Sequence, residues 1–96
     1  MGKVFNISVL DQESKEELQE INVSVTTQLG ELFEITDKYG QARFNTLAWS
    51  EKITFKCVVN DPKKSSYDDR YETRTHNAVT LTEANPYCFM RLKKKQ

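Results

Sequence analysis

Apolar and polar residues alternate along this chain in short runs, and no run keeps the three-to-four spacing of a helix. Lys3 to Leu10 sets Phe5, Ile7 and Val9 against Asn6 and Ser8. Glu20 to Thr27 does the same with Ile21, Val23 and Val25 against Asn22, Ser24 and Thr26. A period of two belongs to a strand, whose successive side chains point to opposite faces. Glu31 to Thr36, Gln41 to Asn45, Lys52 to Asn60, Asn77 to Thr82 and Tyr87 to Lys93 read the same way. In Lys52–Asn60 the apolar set is Ile53, Phe55, Cys57 and Val59; Val58 interrupts the polar set and predicts that its face is partly covered. In the last run Cys88, Met90 and Leu92 are expected inward, because Arg91 shares the other face with Tyr87 and Phe89.

The segments between these runs decide how they connect. Asp37 to Gly40 separates the third and fourth runs, and glycine tolerates the positive φ that a tight turn needs. An aspartate at the start pre-bends such a turn by accepting from amides further on. A β-hairpin is therefore expected here. Asp11 to Gln19 has Leu18 as its only large apolar residue, too little to bury a helix face, so a turn is expected. Asn60 to His76 is the longest connection, and it is polar and aperiodic. Seven short strands without a crossover helix predict a single all-β domain over residues 1–96, a seven-stranded antiparallel β-sandwich in which parallel pairing is not expected.

Composition narrows the function classes. Fourteen lysines and arginines balance fourteen acids, so no net field draws nucleic acid or an anionic membrane. Residues 11–20 are acid-rich and the end, with Arg91, Lys93, Lys94 and Lys95, is basic; they read as a solvated turn and a fraying terminus. No run approaches the roughly twenty apolar residues of a membrane helix, and the first residues lack a signal-peptide pattern. Synthesis in the cytoplasm without an export signal of its own, with incorporation into a particle afterwards, is the expectation. Two cysteines, Cys57 and Cys88, sit in strand-like runs and do not form a secreted disulfide framework.

Several stretches carry a family likeness. Ser8-Val9-Leu10-Asp11 and Ile21-Asn22-Val23-Ser24-Val25, the turn Thr36-Asp37-Lys38-Tyr39-Gly40-Gln41-Ala42-Arg43-Phe44, and Ile53-Thr54-Phe55-Lys56-Cys57-Val58 together resemble the carboxypeptidase regulatory-like domains. The resemblance covers residues 4–60 and treats 77–92 as generic strands. It implies a transthyretin-like, Ig-like sandwich acting as an accessory module that stabilises, presents or connects other proteins. Three places depart from that pattern. Gln12 to Glu17 replaces a glycine turn, Leu47-Ala48-Trp49-Ser50 replaces a proline or glycine turn, and Asn60-Asp61-Pro62 replaces Gly-Tyr. The hydroxyisourate hydrolases of the same fold need early histidines and a Tyr-Arg-Gly-Ser ending. This chain has only His76 and ends Phe89-Met90-Arg91-Leu92-Lys93, which argues against that activity.

No catalytic constellation emerges. His76 with Asp68 or Asp69 and Ser65 or Ser66 lacks a nucleophile elbow and an oxyanion hole. Cys57 on an inward strand position is desolvated and quiet. One histidine and two distant cysteines make a poor zinc set, and the acids Asp61, Asp68 and Asp69 share their loop with Lys63, Lys64 and Arg70, which disfavours calcium. Asn6-Ile7-Ser8 and Asn22-Val23-Ser24 match the glycosylation acceptor pattern, but both asparagines read better as outward strand positions. No cofactor is implied.

The aromatics outside the strands give the one binding argument. Trp49, Tyr39, Tyr67 and Tyr71 fall in loops or turns with no assigned core position, and Asp68, Asp69 and Arg70 lie between the last two; the competing expectation is that Trp49 and one tyrosine cap the open ends of the core. Tryptophan and tyrosine are the residue types enriched at interface anchors. The expectation is a non-enzymatic accessory or structural module contacting a protein neighbour in a larger assembly such as a virus particle. Trp49, Tyr67, Asp68, Asp69, Arg70 and Tyr71 are the candidate partner-binding residues. Neither nucleic acid nor membrane is expected as a partner, and a homo-oligomer is compatible with the pattern. The alternative is a module binding carbohydrate or another small ligand, with the aromatics as stacking platforms.

Overall fold

The seven alternating runs become seven strands in the computed structural model, which describes residues 3–46 and 51–96. They are β1 (Lys3–Asp11), β2 (Asn22–Thr27), β3 (Gly30–Ile35), β4 (Gln41–Thr46), β5 (Lys52–Val59), β6 (Arg74–Thr82) and β7 (Tyr87–Leu92). They form a three-stranded sheet in the order β4-β1-β7 and a four-stranded sheet in the order β3-β2-β5-β6. This is the sandwich class that the pattern predicts. Phe5, Ile7 and Val9 of β1, Val23 and Val25 of β2, Phe55, Cys57 and Val59 of β5 and Met90 and Leu92 of β7 are buried between the sheets as expected, with Ala42 and Phe44 of β4; Ile53 and Cys88, also expected inward, are half-buried against them. Phe5 joins the layers: its ring stacks on Phe44 of the neighbouring strand at 5.2 Å and on Phe55 of the opposite sheet at 5.1 Å. Met90 and Leu92 are buried while Tyr87 and Phe89 stay exposed, which settles the register of β7 as expected.

The stretch around Gly40 forms the expected turn but not the expected hairpin. Gly40 N–H donates to Asp37 O at 2.9 Å, and Asp37 Oδ1 accepts from the amides of Tyr39 and Gln41. Yet β3 pairs with β2 and β4 pairs with β1, so the turn carries the chain from one sheet to the other. Thr36 makes the break. Its hydroxyl accepts from Ile21 N at 2.9 Å and donates to Leu18 O at 2.7 Å, tying the chain down before β4 begins. Gly40 has φ +73°, and a Cβ there would lie 2.9 Å from Val9 O and 3.0 Å from Leu18 N.

Strand pairing departs from the expectation in one further respect. β1 and β7 run parallel, with Asn6 opposite Tyr87 and Ser8 opposite Phe89. A crossover helix is needed only where two parallel strands follow one another; here the rest of the sandwich is the connection. β6 also starts earlier than the pattern suggests, at Arg74, so His76 is an exposed strand residue opposite Cys57 and not a loop residue.

Candidate functional site

The segment that joins β5 to β6 holds most of the residues singled out from the sequence, and two buried asparagines hold that segment. Asn60 lies in the left-handed region at φ +60°, which asparagine tolerates better than most residues. Its side-chain amide donates to Asp68 O at 2.8 Å and Tyr71 O at 3.1 Å, and its Oδ1 accepts from Asp68 N at 2.8 Å. Asn22 acts likewise from β2: it donates to Asp61 O and Ser65 O, each at 3.0 Å, and accepts from Asp61 N at 2.7 Å. Both asparagines are fully buried. Asn22 and Ser24 are thus covered, contrary to the outward exposure expected of them. Residues 61–66 lie against Asn22, whose N–H also donates to Ser66 O at 3.2 Å, on the face that Ser24 shares with its cross-strand partner, the half-buried Val58. Ser24 Oγ is buried there without a hydrogen-bond partner.

Tyr71 belongs to the core and is not free to anchor a partner. Only 4% of it is exposed, and its hydroxyl donates to Asp11 Oδ2 at 2.7 Å. Asp11 Oδ1 accepts from the amides of Glu13 and Ser14, and Lys94 Nζ lies 3.7 Å from Oδ2. The Tyr71 hydroxyl, then the Ser14 amide, pull the Asp11 carboxyl down to about 2. Burial pushes the Tyr71 phenol up to about 12, so it remains a donor. The basic end is tied to the same segment: Glu72 N donates to Lys93 O at 2.8 Å and Lys95 N to Arg70 O at 2.9 Å. The tail therefore does not fray as its charge predicts, because backbone groups at residues 70–72 complete its hydrogen bonds.

Tyr67, Asp68, Asp69 and Arg70 do come together, around an open depression of about 350 Å³ shared with Gln19, Glu20 and Ser66. Trp49 lies outside the described residues. Lys95 Nζ donates to Tyr67 Oη at 2.6 Å and sits over its ring. Arg70 clasps Asp68, with Nη2 to Oδ2 at 2.7 Å and Nε to Oδ1 at 3.0 Å, and holds that carboxyl below its ordinary range. The polar groups here largely satisfy one another, which leaves a wet and shallow feature. Asp61 Oδ1 accepts from Lys63 N, and among the described residues no three of His, Cys, Asp and Glu gather to hold a metal ion. Burial pushes the Cys57 thiol up to about 12 and the Cys88 thiol upward as well, so neither is a ready nucleophile.

A second surface lies on the outside of the β4-β1-β7 sheet. Tyr87 is 57% and Phe89 is 64% exposed, two residues apart on an edge strand. In register, Arg43, Asn6 and Tyr87 make one row across the three strands, and Gln41, Ser8 and Phe89 make the next. The alternation of β7 alone turns both rings outward, and neither is among the loop aromatics singled out from the sequence. A large ring on an outward strand position is itself the signal. Among the described residues no helix is long and apolar enough to cross a membrane. No protein-family model matches the chain, and no curated protein matches it.

Proposed function

We propose that this chain is a non-enzymatic β-sandwich module, of the transthyretin-like, carboxypeptidase regulatory-like kind, that works by contact with a protein neighbour in a larger assembly such as a virus particle. The observation that carries this reading is the pair Tyr87 and Phe89, both exposed on the outer face of one sheet. Large aromatics on a flat surface are the anchors from which protein interfaces gain most of their binding energy. The polar side chains that a catalytic reading would recruit have structural duties. Asp11 and Tyr71 bind each other, Asn60 and Asn22 hold the long segment, and Asp68 holds Arg70. Tyr67 and the open depression beside it fit a weak rim contact better than a ligand pocket, since binding pockets enclose most of their ligand.

Site-specific photo-crosslinking in the native source tests the reading. A benzophenone amino acid in place of Tyr87 or Phe89 is expected to yield a protein adduct, whereas the same group at Thr80, on the outer face of the other sheet, is not. Adducts from Asp69 and none from position 87 or 89 would move the contact to the β5–β6 segment. Capture of glycan and no protein at positions 87 and 89 would replace the reading with the carbohydrate module.

A further inference from the structure

We infer that the outer face of the β4-β1-β7 sheet receives an extended acidic segment of its protein partner. This rests on the protein-contact reading above and names the chemistry of the partner. The outward positions of the three strands include Arg43 and Arg91 and no acid, although the chain as a whole is neutral; Glu17, bridged to Leu10 on the side away from Arg91, adjoins the face at its edge. Among the described residues neither guanidinium takes part in an ion pair. The face thus offers two uncommitted cations beside two exposed rings, with the small polar residues Asn6 and Ser8 between.

Size and charge choose the occupant. Three strands about 4.8 Å apart and about 20 Å long present roughly 300 Å². A standard interface takes about 800 Å² from each partner, so this face suits a segment better than a folded domain. Two copies meeting through it would oppose their arginines, which disfavours a second copy of the same chain. Single-stranded nucleic acid would also stack on the rings, but two phosphate contacts give a salt slope of only about −1.4, weak for a chain whose affinity comes mainly from phosphate. Arg43 and Arg91 sit two strands and four residues apart, roughly 17 Å at ideal spacings. An extended segment spans that with carboxylates roughly four to six residues apart, and its intervening apolar side chain falls beside Phe89.

The test is an amide-shift titration of the full chain with a synthetic peptide of repeated Glu-Thr-Leu-Thr units. Saturable shifts are expected at Asn6, Ser8, Arg43 and Phe89. Replacing Arg43→Gln and Arg91→Gln together should weaken binding roughly five- to thirtyfold, as should a rise in salt from about 0.05 to about 0.5 M. Both positions are exposed, so the variant should fold, and an unchanged spectrum elsewhere checks that. Equal binding of a Lys-Thr-Leu-Thr peptide, tighter binding of oligothymidine, shifts confined to another surface, or no saturable shift would each overturn the inference. The protein-contact reading fails separately, when crosslinks at positions 69, 87 and 89 all capture no protein. Protein adducts that persist unchanged in the double glutamine variant would keep that reading and remove the acidic segment.

Discussion

Tyr71 donates its phenolic hydrogen to Asp11 Oδ2 at 2.7 Å, joining the end of β1 to the segment before β6. Both residues are buried, Asp11 at 3% exposure and Tyr71 at 4%. The bond makes the long segment part of the folded core.

The first expected outcome follows from it. Tyr71→Ser removes a buried ring and leaves Asp11 short of a donor, so its melting temperature should fall well below that of Tyr67→Ser, whose ring is only half-buried. Equal melting of the two variants would show that Tyr71 is not a core residue.

Acid should expose the same contact. The Tyr71 hydroxyl, chiefly, lowers the Asp11 carboxyl to about 2 from an ordinary value of 3.8. A carboxyl lowered in the folded state stabilises above its unfolded value, and that contribution is lost as pH falls through the folded one. The stabilisation is therefore present above about pH 4 and disappears toward about pH 2. Thermal midpoints measured across that window should drop more steeply for the parent than for Asp11→Asn.

Asn60→Ala strands the Asp68 amide and two carbonyls that the side chain now satisfies. Each unpaired buried group costs about 1–3 kcal/mol, and the loss should show as faster hydrogen exchange at residues 61–70. Asn22→Ala should act on residues 61–66 in the same way. Exchange there that matches the parent would mean that the asparagines do not hold the segment.

Gly40→Ala combines a strained φ with a collision against the backbone at Val9 and Leu18, which cannot swing aside as a side-chain end would. The strain alone is on the order of 1–3 kcal/mol. Urea denaturation should show a lower midpoint, and an unchanged one would remove Gly40 from the corner between the sheets.

Phe55→Ala should cost about 3–5 kcal/mol, because it leaves a void against Phe5 at the centre of the sandwich. In a domain of ordinary stability, about 5–15 kcal/mol, that is a large share.

Strand positions and their inward faces were legible because alternation is a local property. Phe5-Ile7-Val9, Phe55-Cys57-Val59 and Met90-Leu92 each show in a few residues which side is buried. The misreadings all depend on distant chain. Asn22 looked exposed beside Val23, since the carbonyl of Ser65 that covers it lies 43 residues on. Tyr71 sits in an aperiodic stretch, where no pattern assigns a ring to a face, and its partner is 60 residues back. The Asp37–Gly40 turn was recognisable from its chemistry, but whether it joins paired strands depends on what β1 and β2 offer β4 and β3. At the candidate surface, the outward direction of Tyr87 and Phe89 was readable. Their company with Arg43 and Asn6 requires the register of three strands from the start, the middle and the end of the sequence.

The parallel pairing of β1 and β7 also gives the domain a mechanical axis. Because the two strands point the same way, β1 begins and β7 finishes at opposite ends of one ladder. Tension applied between Lys3 and Leu92 pulls these strands past each other and loads their bonds together, in shear. Tension across the antiparallel β2–β3 turn would instead peel its bonds apart one after another. A chain held by its two ends should therefore yield only at high force, whatever neighbour its outer face meets.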